Sequence, residues 1–178
     1  MRATHVLLSG LLIATLISPV ALADSPYAAK RFMQGGTFCF AQDGGGDKTV
    51  KMVVQKATGG APNKVAHVDA LMHGVYRSYF DKVTGAATIA PPNNQLQPDT
   101  ELIQIALMGT SYGTDGDIEN RGIWTLDYAV SLNTTKLKGN IIGVAVFNPV
   151  KNGELGESVK YLINETLAPI SCDEFAPE

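Results

Sequence analysis

Between residues 124 and 132 the chain alternates, with Trp124, Leu126, Tyr128, Val130 and Leu132 at one parity and Thr125, Asp127, Ala129 and Ser131 at the other. Successive side chains of a β-strand point to opposite faces, so this stretch is a strand with one buried and one wet side. Val50, Met52 and Val54 repeat the pattern against Thr49, Lys51 and Gln55, and Ile103, Ile105 and Leu107 repeat it against Gln104 and Ala106. No segment holds a helical period over three turns. Residues 25–34 read as a polar lead-in.

Clusters of Gly, Asn, Asp and Pro separate the runs, among them Asp43-Gly44-Gly45-Gly46-Asp47, Pro91-Pro92-Asn93-Asn94 and Lys151-Asn152-Gly153. Such residues supply turn geometry and positive φ, so they mark strand ends. The runs predict strands over residues 37–41, 49–57, 64–73, 75–83 with 86–89, 101–111, 122–132, 137–147 and 158–163. Strands in this number joined by short turns form a meander, which must close on itself or split into two packed sheets to hide its edges. We expect an all-β, single-domain, up-and-down barrel of about eight antiparallel strands, with a β-sandwich as the alternative.

Cys39 and Cys172 support closure. They stand on the first run and just after the last, and these elements are neighbours in an up-and-down barrel. A bridge between them would close a loop of about 130 residues, for which chain entropy gives about 4 to 5 kcal/mol.

Export is the expected setting for such a bond. The first 23 residues carry Arg2, an apolar run from Val6 to Ile17 and the small residues of Ala21-Leu22-Ala23, the layout of a secretory signal peptide. The domain then spans residues 24–178, and the expected location is periplasmic or extracellular, with no stable membrane anchor. A net charge of -3 and no basic run longer than Lys30-Arg31 argue against a nucleic-acid partner. Asn133-Thr134-Thr135 and Asn164-Glu165-Thr166 match the N-glycosylation pattern.

At fold level the chain resembles the calycin barrels, the architecture of lipocalins and avidins. Gly122-Ile123-Trp124 has the Gly-x-Trp spacing of lipocalins, but theirs lies on the first strand, so no binding residue is carried over.

Catalytic and metal patterns are weak. His67, Asp69 and His73 share one strand face, yet a straight strand sets the two imidazoles about 20 Å apart, too far to share one ion. The group reads as a solvent-facing polar stripe. The acidic turn at Asp115, Asp117 and Glu119 supplies too few oxygens for calcium and reads as a hairpin turn. No Gly-x-Ser-x-Gly motif occurs, and Gly44-Gly45-Gly46 lacks the P-loop spacing, so no covalent chemistry, cofactor or metal is expected.

Aromatic residues are spread over several runs, and an eight-stranded barrel has room for a filled core or one small ligand. The candidate ligand-binding residues are Arg77, Tyr79, Trp124 and Tyr128. Arg77 would favour a weakly anionic molecule if it faces inward. The leading expectation is a secreted protein that binds a small, mostly apolar molecule. One alternative is a cyclase- or isomerase-type enzyme using Arg77, Asp127 or Tyr128, and another is an interaction or inhibitor module acting through loops such as residues 90–100.

Overall fold

The computed structural model describes residues 28–43, 49–59, 64–73, 80–90, 102–114 and 121–175. Residues 1–23, read above as a signal peptide, lie outside them. A short helix, α1 (Ala28–Met33), leads into nine strands: β1 (Gly36–Gln42), β2 (Thr49–Val54), β3 (Val65–His73), β4 (Phe80–Ala90), β5 (Leu102–Thr114), β6 (Arg121–Asn133), β7 (Gly139–Lys151), β8 (Glu154–Leu155) and β9 (Val159–Ile170). Each strand from β1 to β7 pairs antiparallel with the next, β7 pairs with β9, and β9 returns to β1. The result is a closed, eight-stranded, up-and-down antiparallel barrel, with β8 as a ninth strand outside the wall. β8 exists because Asn152 (φ 54°) and Gly153 (φ 83°) form a two-residue turn that folds Lys151 back against Glu154.

The alternation sets what lies inside. β6 alternates exposed and buried along almost its whole length, which places Trp124, Leu126, Tyr128, Val130 and Leu132 in the core. Met52, Val68, Ile103, Ile105, Leu107 and Phe40 meet them from other strands with 2 % or less of their surface exposed.

Following the registers once round the wall, from Phe40 through Val50, Met72 and Asp81, across to Ser111 by extending the β4–β5 register three residues past Thr84↔Met108, then through Trp124 and Phe147, arrives at Val159, whereas Phe40 itself pairs with Pro169. The ladder is therefore staggered by ten residues. For eight strands that stagger implies a tilt of about 40° to the barrel axis. It exceeds the eight of a TIM barrel, so the strands splay and the interior is wider at the same strand number.

Close turns of so tilted a wall need small residues. Gly143 on β7 lies against β6, where a Cβ would stand 2.2 Å from the Asp127 carbonyl oxygen and 2.5 Å from the Tyr128 ring. Gly85 lies as close to Ala106 and sits within one continuous β4. The break expected between residues 83 and 86 is thus a close approach of two strands, not a turn.

Two further expectations are corrected. The polar lead-in contains α1, whose Ala28, Ala29, Phe32 and Met33 are buried against one end of the barrel while Lys30 and Arg31 stay exposed. Gly35, at φ +92°, ends the helix, and the chain is pinned by Ala29 N–H to Thr134 O and Ala57 N–H to Met33 O, each 2.9 Å. The last strand also runs to Ile170, seven residues past the expected end.

Candidate functional site

The two ends of the barrel differ. At one end α1 lies across the opening, with Phe32 stacked on Phe38 at 4.7 Å between ring centroids. Leu137, held at φ 53° in the β6–β7 turn, is buried there too. Asn133 shapes that turn, its Oδ1 accepting the backbone N–H groups of Thr135 at 2.9 Å and Lys136 at 3.2 Å. This end is packed shut by its own side chains.

At the far end the stagger leaves β5, β6, β7 and β9 standing higher than β1. The β1–β9 ladder joins Cys39–Gln42 to Ile170–Leu167 and continues only to Asp43 N–H on Thr166 O at 2.9 Å among the described residues. Beyond it, the inward-facing residues of β9 are Tyr161, Ile163 and Glu165, and all three are half-buried. Solvent therefore reaches the inner face of this wall. Gln42, at the end of β1, donates a hydrogen bond from its amide to the Glu165 carboxylate across the place where the two strands part.

Trp124 packs beside Tyr161 on the inner side of this wall. It is 2 % exposed, with its ring 4.9 Å from Phe147 and 5.5 Å from Tyr161. Tyr128, four residues further along the same face, is 3 % exposed and packs on Gly143. Both residues expected to line a ligand site thus face the interior, and Trp124 is the one that meets the half-open wall. Arg77 and Tyr79 fall in residues 74–79, between β3 and β4 in the sequence, and lie outside the described residues. The acidic turn at residues 115–120 and the triglycine at 44–46 also lie outside them. Asp127 is exposed on the outer face of β6, so the enzyme alternative loses that candidate as an interior group.

The polar stripe on β3 is external. His67 Nε2 is 3.2 Å from Asp69 Oδ1, and Thr84 of β4 donates to the same carboxylate oxygen at 3.0 Å. Both side chains are about half exposed, at 47 % and 56 %, which is a solvated surface cluster.

Cys39 and Cys172 form a disulfide, with their Cα atoms 5.1 Å apart across 133 residues of chain. Cys39 faces outward, yet is 2 % exposed, because the segment after β9 folds back over it. Phe175 anchors that cover, with the Lys51 ammonium 5.8 Å from its ring centroid. No helix of the described residues is long and apolar enough to cross a membrane.

Sequence reasoning missed Glu165 and Gln42. The signal was available, since Tyr161, Ile163, Glu165 and Leu167 continue one parity, but the polar Asn164-Glu165-Thr166 interrupts the run. Fold and site together define a disulfide-closed, up-and-down antiparallel barrel with α1 packed across one end and a half-buried inner wall on β9 toward the other. Comparison with protein-family models, with curated proteins and with solved structures finds no match.

Proposed function

We propose that this protein binds one small, mostly apolar molecule without covalent chemistry, against the inner face of β9 beside Trp124. The observation that carries the reading is the half-buried inner face of β9, where Tyr161 and Ile163 point into a barrel widened by its ten-residue stagger. Eight-stranded barrels have room for one small ligand, and a concave apolar site with a few fixed polar groups is the usual design. Glu165 and Gln42 supply such polar groups here. Glu165 brings a negative charge to this wall, so preference for a weakly anionic ligand would depend on Arg77. The signal-like leader and the disulfide support a place outside the cytosol.

The test uses an environment-sensitive apolar dye with the full-length domain. Saturable binding, with quenching of the single tryptophan, is expected. Ile163→Glu, at a half-exposed position, should abolish dye binding while leaving the far-ultraviolet circular dichroism unchanged. Chelator should change neither binding nor melting temperature. Absence of saturable binding would favour the interaction-module reading, and turnover of a bound molecule would favour the cyclase-type one.

A further inference from the structure

The outside of the barrel has two unlike sides. Around β2, β3 and β4 the outward residues include Lys51, His67, Asp69, Lys82 and Thr84, and the segment after β9 covers Cys39. On β7 the outward residues Ile142, Val144 and Val146 are apolar, and Leu162 of β9 stands beside them, while Thr125 and Asp127 of β6 and Lys160 and Asn164 of β9 border them. Ile142 is 52 % exposed and Leu162 86 %, with Val144 and Val146 half-buried between them. The register joins them, since Val144 pairs with Leu162 on one side and Asp127 on the other, and Ile142 pairs with Ala129. Met108 and Tyr112 are exposed on β5, at 61 % and 65 %, and Asp127 of β6 stands between Met108 and Val144. Ile142 to Val146 run about 13 Å along β7, with Leu162 one strand away at about 4.8 Å, and polar side chains border the group. An exposed apolar group with a polar rim has the pattern of an interaction site.

β7 itself carries the signature of a strand covered on both sides. Its residues Ile141, Ile142, Gly143, Val144, Ala145, Val146 and Phe147 form an unbroken apolar run, unlike the clean alternation of β6. A strand with one wet face has no use for Ile142, Val144 and Val146; a strand buried on both faces reads this way.

We propose that this face is where a second copy of the same chain docks, forming a two-fold dimer of barrels back to back. Charge placement selects the occupant. Asp127 stands beside Val144 on β6 and Lys160 beside Val146 on β9, both exposed and on opposite sides of β7. A two-fold axis crossing β7 between Val144 and Val146 sets Asp127 of each copy against Lys160 of the other. On the same grid Leu162 of each copy lands on Ile142 and Val144 of its mate. An isologous interface requires such self-complementarity, with acid and base equidistant from the centre. The dimer leaves the candidate ligand wall, which lies inside the barrel, uncovered.

Sedimentation velocity on the full-length domain, from about 1 to about 100 µM, tests the proposal in the range set by a micromolar dissociation constant. The wild type should pass from monomer to dimer. Leu162→Glu, at a side chain almost wholly in solvent, should remain monomeric throughout with an unchanged melting temperature. Asp127→Lys and Lys160→Asp should each weaken the dimer about tenfold or more, and the double exchange should restore it. A wild type that stays monomeric overturns the proposal, as does a dimer insensitive to Leu162→Glu or to the charge reversals. Cosedimentation of a monomeric wild type with phosphatidylcholine vesicles would assign the face to a lipid surface instead, and would equally overturn it.

Discussion

Trp124 is the residue whose place was most legible, because its strand alternates without interruption and only one parity carries large apolar side chains. Its burial against Phe147 and Tyr161 follows from that pattern. Trp124→Ala should cost about 3 to 5 kcal/mol in urea denaturation through lost burial and an unfilled space. As the protein's one tryptophan, it should emit well to the blue of free indole; emission near the free value would put it outside the core. Gly143 shows what alternation cannot tell. Nothing in its neighbours distinguishes a turn glycine from one beneath a crossing strand, and the Asp127 carbonyl oxygen 2.2 Å from its virtual Cβ settles the matter. Gly143→Ala should therefore destabilise by about 1 to 3 kcal/mol as β6 and Tyr128 are pushed aside. An alanine variant of wild-type stability would show that the strands have room. Glu165 was hidden because a carboxylate on an inward parity looks like the end of a strand until its partner, Gln42, is seen 123 residues away.

At the level of elements, all eight wall strands were legible and their ends were not. Strand existence depends on local alternation, but strand length depends on partners: β5, β6 and β7 each reach 13 residues because each is paired along its length. The Asn152-Gly153 turn was readable, since few dipeptides accept positive φ at both positions. α1 was not. Its apolar stripe is four residues in six, too short to show a period, and it is stabilised by the barrel end rather than by its own turns. Phe32 is fully buried, so Phe32→Ala should lower stability by about 3 to 5 kcal/mol, a large effect for so short a helix. Denaturant titration of the variant measures it, and a loss below about 1 kcal/mol would mean that α1 rests on the barrel without closing it.

For the whole molecule, closure was legible from two cysteines placed at the first and last runs, whereas the stagger was not, because it is a sum of registers and no single strand records it. The Cys39–Cys172 bond spans 133 residues, and its reduction should cost about 4 to 5 kcal/mol on chain entropy alone. Differential alkylation should label neither thiol before reduction and both after; label in the unreduced protein would remove the bond. The pairing of β1 with β9 also dictates an order of events. Synthesis delivers β1 first and β9 last, so every other strand pair can form while one edge of β1 still waits for its mate. The protein is a ring whose clasp is made last. A chain halted after β7 exposes two bare edges and the apolar inner face around Trp124 at once, which makes nascent or truncated copies the aggregation-prone form, and makes arrival of the final strand the event that commits the fold.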